Sequence, residues 1–262
     1  MKDKLLKLIR IILVIIIIVC LGILGRRGYD YYVNYKNNQH ISRIVDEVSD
    51  VDGKDDTSSE EKFHNLEKKY MKILEKLQNE NSDVKAFMEI PGTYIAYPIM
   101  QANDNSFYLR KGINKKYDIA GSIFMDYMND SKVDDANTVI YGHHLDIESM
   151  FTGLDGYRKN DFAQNHRTIY LVTNEGLREY QVFSAYGIPS EYDYRTLDFE
   201  DSEEKIKYFN KLKANSENEL KTRDFKESDT IITLSTCQYD YKDQRLAVHA
   251  LRVRWGLKWT DI

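Results

Sequence analysis

Cysteine is scarce in this chain: two residues, Cys20 and Cys237, in 262. Cys20 lies inside an apolar run and Cys237 far outside it, so a disulfide between them is implausible. No CxxC or Cys/His spacing of the kind that holds zinc is present, and no acidic cluster stands out, so neither a metal nor a cofactor is expected. Excess positive charge is also missing. A net charge of -5 argues against a nucleic-acid-binding surface. No internal repeat is evident. No small-x-small cleavage site follows the apolar run before Arg26, Arg27 and Tyr29, which argues against a signal peptide that is removed.

What is there begins with that run. From Ile11 to Gly25 the only polar side chain is the thiol of Cys20, and with Leu5, Leu6, Leu8 and Ile9 the stretch approaches the roughly 20 residues that cross a bilayer. Arg10 can snorkel to the head groups. Lys2, Lys4, Lys7 and Arg10 precede the run while Arg26 and Arg27 follow it, a mild bias towards a cytoplasmic N-terminus. Residues 1–27 are therefore expected to be a cytoplasmic tip and uncleaved single-pass anchor, with everything after residue 26 outside the cell. Residues 28–61 are expected to be a juxtamembrane helix or stalk followed by an acidic, small-residue linker, and 62–262 a folded domain.

A hydrophobic content of 42% supports a core, and 20 tyrosines suit β-structure. Phe63, Leu66, Tyr70, Ile73, Leu74 and Leu77 recur at helical spacing and predict a helix over 62–79. Short strands are expected at 85–90, 94–99, 121–126, 136–142, 167–173, 177–188, 229–237 and 245–254, with Asn174-Glu-Gly176 turning a hairpin. A second helix, 202–213, presents Ile206, Phe209 and Leu212 on one face, with Ser202 at its cap. Eight strands with few helices imply a mainly β fold, a closed antiparallel or mixed barrel with added helices.

Three strand ends carry the chemistry. The stretch Asp229 to Cys237 ends in the unpaired thiol, and alternation puts Ile231, Thr233, Ser235 and Cys237 on one face. A polar loop leads to Arg245, which shares a face with Ala247, His249 and Leu251, so a hairpin brings Arg245 towards Cys237. Far upstream the strand 136–142 runs into His143 and His144, and the pattern alone does not say which imidazole faces the thiol. Each residue has a plain structural reading as well: a buried small hydrophobe, a surface cation, a strand-end histidine. Together a nucleophile, a proton carrier and a fixed cation are what making and breaking a thioester requires.

Thr233-Leu-Ser-Thr-Cys237, Tyr141-Gly-His143-His144 and the following Arg245 resemble the motifs of the sortases, class B in particular. Glu89-Ile-Pro-Gly-Thr-Tyr-Ile-Ala-Tyr-Pro98, Asp104-Asn-Ser-Phe-Tyr-Leu109 and Gly121-Ser-Ile-Phe-Met-Asp-Tyr127 are similar to further stretches of that family, and the likeness covers about residues 62 to 254. One departure is Phe87, where many relatives carry tryptophan. The resemblance implies an eight-stranded sortase-type barrel with N-terminal helices and a long helix between strands 6 and 7. It implies a thiol-dependent transpeptidase of the hydrolase class in a Gram-positive cell membrane. Cys237 would be its nucleophile, His143 its acid and base, and Arg245 its oxyanion partner. Asn105, Leu109, Ser190, Tyr194 and Ser235 match the substrate groove. The implied partners are secreted proteins bearing an NPxT-like sorting motif and an amine of the cell wall or its precursor. Joining pilin subunits is an alternative within the family. A secreted cysteine endopeptidase is one outside it, although papain-like enzymes place cysteine before histidine, at a helix N-terminus.

Overall fold

The computed structural model describes residues 2–49, 58–145, 149–189, 194–237 and 244–256. Four helices, α1 (Lys2–Ser49), α2 (Ser59–Glu80), α3 (Asn160–Asn165) and α4 (Ser202–Ala214), surround eight strands. These are β1 (Val84–Glu89), β2 (Ala96–Met100), β3 (Phe124–Met125), β4 (Asn137–His143), β5 (Thr168–Thr173), β6 (Gly176–Pro189), β7 (Ile231–Cys237) and β8 (Gln244–Trp255). The strands close in the order β1-β2-β3-β4-β7-β8-β6-β5, which leaves no open edge. The β2–β3 and β4–β7 pairs are parallel, and the others antiparallel.

Alternation along each strand divides the apolar residues into layers. Met88, Ile140, Leu171, Val182, Leu234 and Val248 fill the barrel. Phe87, Val139 and Val172 point outward and meet Tyr70, Ile73, Leu74 and Leu77 of α2. On another flank Phe183, Ile231 and Leu251 pack against Phe209 and Leu212 of α4. Because both faces of β4 are covered, it is buried along its whole length. The β5–β6 hairpin turns through Asn174 and Glu175, and Gly176 supplies the positive φ of 113°. All eight strands and the helix between β6 and β7 were expected. Missed were a 3-10 helix over Met150–Arg158 and the short α3. Asp201, not Ser202, caps α4, its side chain accepting from the Glu204 N–H at 2.8 Å.

The N-terminal region departs most from expectation. Anchor and stalk form one continuous helix, α1. Its apolar part, Leu5 to Leu24, is exposed on all sides, as suits a candidate membrane span. Its later part is docked on the barrel domain: Asn34, Ile41, Ile44 and Val48 are buried, spaced 7, 3 and 4 apart along one narrow seam. Exposed Tyr29, Tyr32 and Tyr35 on the other sides obscure that seam in the sequence. The contact is anchored by Asp118, whose two carboxylate oxygens accept from Asn34 Nδ2 at 3.1 Å and Asn37 Nδ2 at 2.6 Å. Most of the expected acidic linker lies outside the described residues.

Asp118→Ala leaves the buried Asn34 amide without its acceptor, a loss of about 1–3 kcal/mol. The expected outcome is faster hydrogen exchange over residues 34–48 and a lowered melting temperature, with strand amides of β4 and β7 still protected.

Candidate active site

The parallel β4–β7 register runs from Asn137 opposite Ile231 to His143 opposite Cys237. The antiparallel β7–β8 register ends with Ser235 opposite Ala247, and Arg245 stands two residues before Ala247 at the start of β8. His143 and Cys237 are therefore backbone partners about 5 Å apart, and Arg245, at the start of the next strand in the barrel, completes a row across three neighbouring strands. The row is held at its β8 end by Thr236, whose Oγ1 accepts the Leu246 N–H at 2.9 Å.

His143 is buried, with 4% of its surface exposed, and its Nε2 lies 2.6 Å from the Leu109 carbonyl oxygen. A carbonyl only accepts, so Nε2 carries a proton. Two glycines make this geometry possible. At Gly121 (φ 60°) an added Cβ would lie 2.5 Å from the Leu109 carbonyl oxygen, and at Gly142 one would lie 2.6 Å from the Phe151 ring. His144 is directed elsewhere, its Nε2 2.5 Å from Asp155 Oδ2 on the Met150–Arg158 helix. His143 thus shares the row with Cys237, while His144 pairs with Asp155.

Arg245 is half-buried and donates from Nη1 to the Tyr194 hydroxyl at 3.3 Å, and that hydroxyl lies 2.7 Å from Ser235 Oγ. Tyr194 and Ser235 have no exposed surface, so in this structure they support the guanidinium and line no open wall. Leu109 contributes its backbone carbonyl to His143. Asn105 is half-buried beside Asp126, and Ser190 lies outside the described residues.

Below the row runs a polar chain that sequence reasoning missed. Asn137 Nδ2 donates to the Thr196 carbonyl at 3.0 Å, so its Oδ1 faces Thr233 Oγ1, 2.7 Å away, as acceptor. The Thr233 hydroxyl proton is then committed, and His249 Nδ1, 2.9 Å from the same oxygen, must donate to it. His249 Nε2 is left to accept from Tyr186 O–H at 3.2 Å. Burial alone lowers the His249 pKa to about 3, so the ring stays neutral. Alternation had placed Thr233 and His249 on the faces of Cys237 and Arg245, but nothing in the sequence linked them to Asn137. Among the described residues no group of three or more His, Cys, Asp or Glu could hold a metal ion.

The Sortase domain family model matches residues 88–253. Sortase B of Listeria monocytogenes serovar 1/2a (strain ATCC BAA-679 / EGD-e) is 35% identical over 179 residues, 67% of this chain and 72% of that protein. Among solved structures, sortase B from B. anthracis in complex with AAEK1 superposes with a TM-score of 0.71 at 32% identity, over 86% of this chain and 98% of that one. A Staphylococcus aureus sortase B–substrate complex gives 0.68 at 30%, over 75% and 94%. The fold is thus that of a cysteine transpeptidase built on an eight-stranded barrel. The chain belongs to the sortase family and, within it, to class B.

Two outcomes test this geometry. His249 is neutral when folded but titrates near 6.5 when unfolded, so the unfolded state binds more protons between those values. Its contribution to stability is complete above about pH 6.5 and falls as pH drops towards 3, by at most about 1.4 kcal/mol per pH unit. Denaturant titrations from pH 7 to 4 should show this slope, and His249→Gln should flatten it. Gly121→Ala forces the Leu109 carbonyl to move and should lower activity at least about tenfold, the scale of one lost charge-assisted hydrogen bond, while Cys237 remains alkylatable.

Proposed function

We propose that this chain is a membrane-anchored transpeptidase that cleaves an NPxT-like sorting motif near the C-terminus of exported proteins and transfers the acyl group to an amine of the cell wall or its precursor. One observation carries the reading: residues separated by about a hundred positions in sequence, His143 and Cys237, are paired neighbours, with Arg245 at the start of the strand beside Cys237's. The candidate span of α1 supports a single-pass anchor with its N-terminus in the cytoplasm and the barrel outside, where both substrates would be found.

In this scheme the Cys237 thiolate attacks the carbonyl carbon of the motif's threonine. The electron pair of the C=O bond moves to oxygen, and the resulting oxyanion is met by the Arg245 guanidinium held by Tyr194. His143, as imidazolium, protonates the leaving amine nitrogen as the C–N bond breaks, and a thioester remains on Cys237. The Leu109 carbonyl holds the ring in place by accepting from Nε2–H. An amine then attacks the thioester, neutral His143 removes its proton, and the thiolate departs. Asn105 and Leu109, with Ser190, border the peptide; Tyr194 and Ser235 act on it through Arg245.

Mass spectrometry of the protein with candidate sorting peptides should show an acyl adduct on Cys237, and added amine should convert it to an amide product. Cys237→Ala, His143→Ala and Arg245→Ala should each cost about a hundredfold or more in adduct formation, and His144→Ala only a few-fold. If His144→Ala proved the inactivating change, the assignment of the histidine would be wrong. Hydrolysis with no amine product would instead favour an endopeptidase. A product formed only with a lysine side chain of another protein would favour pilin joining.

A further inference from the structure

Asp126 follows β3 and lies almost out of solvent, with 8% exposed. Its Oδ2 accepts from the Tyr141 hydroxyl at 2.9 Å and from Asn105 Nδ2 at 2.9 Å, while Oδ1 accepts the Met128 N–H at 3.0 Å. The Asn105 amide is bound at both ends, because its Oδ1 accepts the Tyr127 N–H at 3.0 Å. A carboxylate can only accept and a backbone N–H can only donate, so this amide has one permitted orientation. Its carbonyl is committed to the framework, and the second Nδ2 hydrogen remains on a half-buried residue. Tyr141, the other donor, stands in β4 two residues before His143 and opposite Ser235. Burial and then the charge of Asp126 raise the Tyr141 pKa well above the usual phenol value, so it stays a donor.

We propose that Asp126 is a positioning residue that fixes Asn105 as a hydrogen-bond donor, so that Asn105 reads a carbonyl oxygen of the sorting peptide and rejects a donor at the same place. The inference rests on the substrate role proposed above for Asn105. Asp126→Asn is isosteric but brings an N–H against either the Met128 N–H or the Asn105 Nδ2–H. In the second case Asn105 either loses its acceptor or flips, presenting its oxygen to the peptide at the cost of its bond from the Tyr127 N–H.

The test is a double-mutant cycle on peptide transfer with Asp126→Asn, Asn105→Ala and the double variant. Each single change should raise KM about tenfold and leave kcat within about threefold. Because Asp126 acts through Asn105, the double variant should match Asn105→Ala to within about twofold. Alkylation of Cys237 by iodoacetamide should proceed at the wild-type rate in all three. In the unmutated protein, NMR should show one Asn105 side-chain amide proton slow to exchange and its partner shifting on peptide addition. Multiplying KM effects, a fall in kcat at constant KM, or two equivalent amide protons would overturn the proposal. Should the wild type form no acyl adduct on Cys237 with any sorting peptide, the transpeptidase reading itself falls and takes this inference with it. An adduct with additive effects sinks this inference alone.

Discussion

Two strands ninety-four positions apart, β4 and β7, lie side by side in parallel, and the site depends on the register between them. Side chains alternate with period two, so a slip of one residue would turn the outer row of β4 inward. His143 would then enter a core already filled by Phe151, and Ile140 would leave it. Such a slip would expose apolar side chains worth about 1.5–3 kcal/mol each. A hydrogen bond such as Thr233 to Asn137 contributes about 0.5–1.5 kcal/mol net. The apolar interior therefore sets the register, and the polar bonds across it settle orientation within that frame.

This division of labour explains why the outer face of β4, β7 and β8 carries buried polar side chains among its apolar ones. Asn137, Thr233 and His249 form a satisfied chain beneath the row, and Tyr194 and Ser235 form another beneath Arg245. A fully satisfied network costs little and locks rotamers, whereas a half-satisfied one would be worse than packed hydrocarbon. The chain through Asn137 ends on the Thr196 carbonyl, in the segment that brings Tyr194 to Arg245. The Thr196 N–H is tied in turn to the Tyr208 hydroxyl on α4 at 3.2 Å. Thus α4, a long insertion between β6 and β7, bears on the guanidinium without approaching it.

Strand positions were legible because alternation and turn residues are local signals, and the row was legible because three motifs ended strands. The parallel pairing of β2 with β3 and of β4 with β7 was not, since no local pattern distinguishes a parallel from an antiparallel neighbour. Nor could the sequence tell His143 from His144. Their separation depends on Leu109 and Asp155, which come to them through tertiary contacts. Family likeness led Tyr194 and Ser235 to be expected in the groove, but their burial beneath Arg245 was invisible to it. The seam on α1 was hidden by tyrosines whose exposure no helical period reveals.

That seam links the N-terminal helix to His143 through few steps. Asn34 and Asn37 hold Asp118, whose Oδ1 also accepts the Ala120 N–H, and Gly121 follows against the Leu109 carbonyl. That carbonyl in turn holds His143. Asn34 lies nine residues beyond Gly25, about 14 Å along an unbroken helix. A flexible stalk would let the barrel rotate freely above its anchor. A continuous helix clasped at Asp118 instead ties the barrel to the apolar segment through Asn34 and Asn37.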